Sequence, residues 1–194
     1  MQDDVLSALR HATAERHAEL DTRTLLAAAQ PDLQDYRDHM QLLEAWLAPI
    51  QDWLGAYDDG PRLSDYLGLI RADLRHEALA QLPEPNGEAS SPMRWPQQAS
   101  AAYRWGVCYV IEGSQLGGAV LYKRLAQRLA PHPLDYLHGA GSPGPRWQQF
   151  LAALRAAVKL VPEIEDACCG AQQAFDSLIA LNRSRAGAGN EISN

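Results

Sequence analysis

The sequence has few of the features that mark secreted, disulfide-bonded or membrane-spanning proteins. Its three cysteines, Cys108, Cys168 and Cys169, form neither a disulfide framework nor a CxxC pair. No apolar run of about 18 residues is present, so no membrane span is predicted. The N-terminus lacks the basic and apolar segments of a signal peptide. We therefore expect the protein to work in a reducing cytoplasm.

Basic residues are outnumbered by acidic ones, 17 against 24, which gives a formal net charge of −7. This charge argues against nucleic acid as a main partner, because phosphate binding requires a basic surface. β-Branched residues are scarce, whereas Ala and Leu are abundant. That composition favours an all-α fold, and 194 residues are enough for one domain with a substantial core.

Apolar periodicity predicts one helical domain over residues 1–184 and a flexible tail over 185–194. The first helix is predicted over about 3–29, and the second begins near Pro31 and contains Pro49, which should kink it. The remaining predicted elements are a helix over 63–79, an exposed connection over 83–96, a long helix over 98–130, a short turn over 134–138, a loop over 139–145, a helix over 147–158 and a last helix from Pro162.

Three glycines occur near the middle of the long predicted helix. Gly113, Gly117 and Gly118, together called the glycine patch, should each cost about 1 kcal/mol relative to alanine. Gly113 and Gly117 lie on one face, where missing side chains leave bare backbone. Such a surface suits close packing of another helix, or a bend, and the glycines alone favour this interpretation. It also suits a flat ligand, with Ser114 and backbone carbonyls making polar contacts.

A histidine on the first helix changes this assessment. His17 shares an apolar stripe with Leu9, Thr13 and Leu20, so it is predicted to point inward, where most histidines are structural. Arg10 lies on the same face as His17, about 10 Å away along the axis. An imidazole, a bare opposing surface and a cation suit a flat ligand with a central metal and carboxylates at one edge. Haem is such a ligand.

The two stretches together resemble the haem oxygenase family, specifically its bacterial members. The resemblance extends over most of the chain through helix order and a Trp147-x-x-Phe150 pattern. The matching positions are Leu9, Arg10, Thr13, His17 and Asp21 in the first helix, and Tyr109, Glu112, Gly113, Ser114, Leu116, Gly117 and Gly118 in the long helix.

The resemblance implies a role for each matched residue in a haem oxygenase-like helical bundle with a glycine-kinked distal helix. His17 would be the axial ligand of the haem iron, with Thr13 beside the haem. Gly113, Gly117 and Gly118 would let the helix lie over the haem, and Ser114 falls where some members have an aspartate that orders water. Arg10 and Tyr109 match positions that contact the haem propionates, and Arg146 is the nearest candidate for a further contact.

The resemblance also implies a reaction. Haem would be both substrate and cofactor, and O2 with electrons would convert it to biliverdin, carbon monoxide and ferrous iron. No GxGxxG fingerprint for a flavin or nicotinamide is present, so an external ferredoxin, flavodoxin or reductase is expected as the electron donor. The biliverdin could supply a photoreceptor, or the reaction could serve to release iron.

Three alternatives stay open at this stage. A haem carrier or sensor would share His17 and the pocket without breaking haem down. A related helical protein acting on another small molecule, of the thiaminase type, would need a nucleophilic cysteine, for which Cys108 is the candidate. A helical interaction module without a ligand would leave the glycine patch unexplained.

Overall fold

Seven α-helices and two 3-10 turns form the computed structural model, which describes residues 4–83, 94–139 and 143–190. No strand occurs in these ranges, which confirms the predicted all-α class. The helices are α1 Val5–Arg23, α2 Leu33–Gly55, α3 Tyr66–Leu74, α4 Ala101–Leu125, α5 Asp135–His138, α6 Pro143–Ala157 and α7 Val161–Asn190, and the 3-10 turns are Leu25–Ala27 and Glu77–Leu79.

Most differences from the predicted boundaries occur where a helix ends. The first helix stops at Arg23 and resumes as a 3-10 turn, and the third is interrupted after Leu74. The helix α6 begins at Pro143, inside the predicted loop, because proline fits a first helical turn. The connection predicted over 83–96 lies mostly outside the described residues.

The last helix runs past the predicted tail boundary. Described helix continues from residue 185 to Asn190, and residues 191–194 lie outside the description. Flexibility of the tail therefore stays a prediction, as does the division of the chain at 184.

Side-chain caps set the starts of α2 and α4. The carboxylate of Asp32 accepts hydrogen bonds from Gln34 N at 2.8 Å and Asp35 N at 3.0 Å, forming a capping box at α2. Ser100 Oγ accepts from Tyr103 N at 3.0 Å and begins α4. From Ala101 to Leu125 α4 is continuous, and the predicted bend at its glycines stays a prediction.

The helices α4 and α7 cross at two glycines. A Cβ atom at Gly106 would collide with the carbonyl oxygen of Ala167, and one at Gly170 would collide with that of Tyr103. The backbones can approach this closely only because neither residue has a side chain. This crossing holds α4 against α7, which in turn packs against α1.

Within the described ranges, no helix is long and apolar enough to cross a membrane. The predicted location in the cytoplasm stays a prediction.

Candidate functional site

A cavity of about 400 Å³ lies among α1, α2, α4 and α7, with α5 and α6 closing parts of it. Its lining is mainly apolar, including Leu43, Trp46, Phe175 and Leu178. Seven of the residues predicted to form a site line this cavity: Thr13, His17, Tyr109, Gly113, Ser114, Gly117 and Gly118. Two helices separated by some 90 residues of sequence thus contribute to one pocket.

His17 has a carboxylate partner on its own helix. Its Nδ1 atom lies 3.0 Å from Oδ2 of Asp21, one turn later, and Asp21 also lines the cavity. A carboxylate that accepts from Nδ1–H leaves the other ring nitrogen, Nε2, unprotonated and able to bind a metal. The side chain of His17 is 65% exposed, so its predicted inward orientation does not bury it in the packed core. It lies instead at the surface of the cavity.

Thr13 is buried beside His17. Its hydroxyl donates to the carbonyl oxygen of Leu9 at 2.8 Å, so its hydrogen is used within α1. Thr13 therefore lines the cavity with its hydroxyl hydrogen already used, and its predicted contact with haem stays a prediction.

The glycine patch is not explained by packing against another helix. A Cβ atom at Gly117 would meet no described atom within 4 Å, and one at Gly113 would be 3.5 Å from the side chain of Trp147. At Gly118 the nearest atom, in Leu137, would be 3.7 Å away. These are ordinary contact distances, in contrast to the collisions at Gly106 and Gly170. Gly117 thus faces open space, while Gly113 and Gly118 leave room for a methyl group in ordinary contact with Trp147 and Leu137, and this loose packing favours close approach of a ligand.

Arg10 and Tyr109 meet near the cavity. Burial raises the pKa of the Tyr109 hydroxyl, while the charge and a hydrogen bond of Arg10 oppose that rise. Arg10 is exposed and is not among the described residues that line the cavity. The pair therefore places a cation at the edge of the cavity, next to a lining hydroxyl.

Arg146 is placed elsewhere. Its Nε and Nη2 atoms donate to the carboxylate of Glu112 at 2.9 and 2.7 Å, and Nη1 donates to Ser64 Oγ. Glu112 is 4% exposed and also accepts from Tyr66 Oη at 2.9 Å. Arg146 thus pairs with a buried carboxylate of α4 and does not line the cavity among the described residues. The contact of Arg146 with haem stays a prediction, and the position of its side chain does not support it.

A second histidine lines the cavity, and the sequence analysis gave it no role. His39 lies on the face of α2 that carries Leu42, Leu43 and Trp46, and burial lowers its pKa to about 4. Its ring is therefore neutral at physiological pH. The spacing of these four residues, i, i+3, i+4 and i+7, was the available signal that His39 faces inward.

A tyrosine that the sequence analysis also missed lies beside Ser114. Tyr136, at the start of α5, is buried and lines the cavity. Its Oη accepts a hydrogen bond from Gln115 Nε2 at 2.9 Å. Ser114 Oγ itself donates to the carbonyl oxygen of Ile111 at 2.7 Å. No local sequence pattern indicates this contact, because 21 residues separate Gln115 from Tyr136.

The described residues support neither a nucleophilic cysteine nor a metal ion held by protein side chains alone. Cys108 is buried, and burial raises the pKa of its thiol, which disfavours the nucleophilic thiolate. In the part of the chain that the structure describes, no three His, Cys, Asp or Glu side chains could hold a metal ion. A metal bound at His17 must therefore bring most of its ligands with it, as a metalloporphyrin does. The exposed imidazole of His17, the carboxylate of Asp21 behind it and the glycine patch fit haem.

Comparison with known proteins agrees with this geometry. Residues 3–184 match the sequence profile of the family described as Heme oxygenase. A protein named Heme oxygenase from Xanthomonas campestris pv. campestris (strain 8004) is 34% identical over 145 residues, which cover 73% of this chain and 82% of that protein. No solved structure is significantly similar to the chain.

Proposed function

Because the chain belongs to the haem oxygenase family, we propose that it binds haem in the cavity between His17 and the glycine patch and degrades it. The observation that carries this proposal is the pairing of an accessible imidazole, oriented by Asp21, with the backbone of α4 at Gly117, where a Cβ atom would meet no described atom within 4 Å. Haem, when bound, supplies the iron at which O2 and electrons react. The chain's own residues bind it, orient it and control access of water.

His17 would bind the haem iron through Nε2. The carboxylate of Asp21, 3.0 Å from Nδ1, would fix the ring orientation and increase the basicity of the ligating nitrogen. The ring of Phe175, with its centroid 6.0 Å from that of His17, would limit rotation of the imidazole.

The glycine patch would form the opposite surface. With no Cβ atom at Gly113 or Gly117, the backbone of α4 can approach the plane of the haem closely. Close approach restricts which polar ligand of the iron can fit and in which direction it points. Ser114, exposed toward the cavity, would supply a hydroxyl for hydrogen bonding there.

The haem carboxylates would lie at the edge marked by Arg10. Its guanidinium is exposed, already adjacent to Tyr109, and available to an anion. Arg146 would act indirectly, by neutralising Glu112 and so keeping α4 in place.

We propose the products biliverdin, carbon monoxide and ferrous iron, with electrons from a ferredoxin, flavodoxin or reductase. The chain supplies no flavin or nicotinamide fingerprint of its own. Delivery of biliverdin to a photoreceptor is a further prediction that follows from the family alone.

An absorption titration with haemin, followed by ascorbate or a ferredoxin–reductase system in air, tests this function. We expect stoichiometric binding, then loss of the Soret band and growth of biliverdin absorption. His17→Ala should impair both steps, and His11→Ala, an exposed histidine on the same helix, is the matched control. A Soret band that persists during turnover would support a carrier or sensor instead, and absence of binding would refute the haem site.

A further inference from the structure

His39 is a hydrogen-bonding side chain of the cavity that has no partner in the described part of the protein. None of the described residues donates to its ring or accepts from it, and burial alone lowers its pKa. In the described ranges, the buried side-chain polar atom without a partner is Gln51 Oε1, so the ring nitrogens of His39 open toward the cavity. Its lining neighbours on α2 are Leu42, Leu43 and Trp46. The imidazole is therefore available to a ligand in apolar surroundings.

The helices α1 and α7 lie side by side and run in the same direction. Gln172 Nε2, on α7, donates to Ala12 O at 3.2 Å, and Arg183 Nη2 donates to Glu19 Oε1 at 2.6 Å. His17 lies between these two contacts on α1. Positions near the C-terminal end of α7 are therefore beyond His17, on the side away from the start of α1.

The helix α2 runs antiparallel to α7. Trp46 Nε1 donates to Ser177 Oγ at 2.8 Å, whereas Arg185 Nη1 donates to Asp38 O at 2.9 Å. Lower residue numbers of α2 thus lie beside higher residue numbers of α7. His39 follows Asp38 directly, so it lies beyond Trp46 toward the C-terminal end of α7.

These directions place Arg10 and His39 toward opposite ends of the cavity. Arg10 precedes His17 by seven residues, about 10 Å along α1. Trp46 is level with His17, because it contacts the turn of α7 that contains Phe175. The ring centroids of Phe175 and His17 are 6.0 Å apart. His39 lies seven residues from Trp46, again about 10 Å, in the direction away from Arg10.

This offset makes His39 unsuited to bind the same iron as His17. Metal–nitrogen distances are about 2 Å, so two imidazoles on one iron must converge within about 4 Å. His39 is instead placed toward the rim of a haem whose iron is bound by His17. With the haem carboxylates at the Arg10 end, this is the opposite rim, which has only hydrocarbon substituents.

Opening of the ring at that rim would change its chemistry. The proposed reaction removes one bridging carbon as carbon monoxide and leaves a carbonyl oxygen on each of the two pyrrole rings that it joined. The product opened there, biliverdin IXα, has lactam C=O and N–H groups where haem has none. A neutral imidazole has one N–H donor and one acceptor nitrogen, which complement these groups.

We propose that His39 is a product-binding residue that holds the lactam end of biliverdin IXα, while Arg10 holds its carboxylates. The inference rests on the proposed function, because it concerns the product of that reaction. Haem leaves the imidazole unpaired, whereas the linear tetrapyrrole supplies a partner for it. A hydrogen bond is stronger in a site of low local dielectric than in water, so His39 should favour product over substrate.

Absorption titrations of the protein with biliverdin IXα and, separately, with haemin test this role. His39→Leu removes the hydrogen-bonding groups, so we expect about 3- to 10-fold weaker binding of biliverdin, the usual effect of one lost hydrogen bond. The affinity for haemin should not fall, because the facing rim of haem is apolar. His39→Gln, which keeps a donor and an acceptor, should retain the affinity for biliverdin.

Infrared spectra of bound biliverdin supply a readout that a merely structural role would not change. A hydrogen bond lowers the stretching frequency of a lactam carbonyl group. This frequency should therefore rise in His39→Leu and stay low in His39→Gln. An unchanged frequency in His39→Leu would overturn the inference.

Thr24→Val is the matched control. Thr24 also lines the cavity, and valine has nearly the same shape without the hydroxyl group. We expect this variant to bind both ligands as the unsubstituted protein does. A loss of biliverdin affinity as large as that in His39→Leu would show that the effect is not specific to His39, and would overturn its role.

Failure of the inference is separable from failure of the proposed function. Absence of haemin binding by the unsubstituted protein would refute the function and the inference with it. Haemin binding without biliverdin binding, or equal losses of affinity for both ligands in His39→Leu, would overturn the inference alone. A change from six- to five-coordinate ferric haem in His39→Leu would also overturn it, by showing that His39 binds the iron. If His39→Leu does not fold, His39→Ala, which only enlarges the cavity, replaces it.

Discussion

The Nδ1 atom of His17 lies 3.0 Å from Oδ2 of Asp21, one turn further along the first helix. Both side chains are largely exposed, at 65% and 67%, so the pair contributes little to stability by itself. Its significance is chemical, because it sets which imidazole nitrogen carries the proton.

Asp21→Asn should weaken haem binding by about 10- to 100-fold, the usual effect of removing a carboxylate behind a metal-bound histidine. The amide can still bond to the ring but carries no charge to increase its basicity. Haemin titration measures the change. Glu15→Gln, at an exposed position of the same helix, should bind haem normally. Equal affinities for Asp21→Asn and the control would show that Asp21 has no role.

Gly117→Ala should change the stability of the protein and its affinity for haem in opposite directions. Because a Cβ atom there meets no described atom within 4 Å, the substitution should stabilise the ligand-free protein by about 1 kcal/mol through helix propensity. The same methyl group would project into the haem site and weaken haem binding. Denaturant unfolding of the ligand-free protein and haemin titration measure the two effects.

Gly106→Ala is the contrasting substitution on the same helix. Its Cβ atom would collide with the carbonyl oxygen of Ala167, so we expect loss of stability, not gain. The free energy of unfolding measures this change. If Gly106→Ala stabilised the protein and Gly117→Ala destabilised it, the assignment of the two kinds of glycine would be reversed.

Asp73→Ala should destabilise the protein by several kcal/mol. It removes the acceptor of two backbone amides and of Tyr36 Oη, and each buried donor left unpaired costs about 1–3 kcal/mol. Tyr36→Phe, which removes one donor and leaves the two amide bonds in place, should cost only about 1 kcal/mol. Chemical denaturation of both variants checks the order, and similar losses would contradict the role of Asp73 as the anchor of α5.

His39 should make stability depend on pH. Its pKa is about 4 in the folded protein, against an ordinary value of 6.5, so the unfolded chain binds more protons between these values. Stability from this group is therefore complete above about pH 6.5 and falls as the pH decreases toward 4, by up to about 1.4 kcal/mol per unit. His39→Gln should flatten the curve in that window. If the free energy of unfolding varied with pH in the same way in both proteins, the lowered pKa of His39 would be contradicted.

Local patterns in the sequence predicted much of the fold. Helix positions follow from apolar periodicity, which depends on residues three and four apart, and the all-α class follows from composition. The same short-range logic found the cavity residues on α1 and α4, because Thr13 and His17, like Gly113 and Gly117, lie on one face of one helix.

The sequence could not distinguish glycines that face a cavity from glycines at a helix crossing. Gly106 and Gly170 carry no pattern that sets them apart, yet they are the ones at which α4 and α7 approach closely. The sequence also could not reveal the partner of Arg146. From its position near the predicted site it was expected to contact an anionic ligand, but the structure shows that it pairs with Glu112.

The sequence alone determined the helices, the candidate axial histidine and the bare patch, because each depends on neighbours along one helix. Only the tertiary structure decided that these face one cavity, that His39 and Tyr136 join them, and that Asp73 holds Tyr136 from 63 residues away. The physical reason is that buried hydrogen bonds and close backbone contacts depend on which helices pack together. No residue type or spacing within a single helix contains that information.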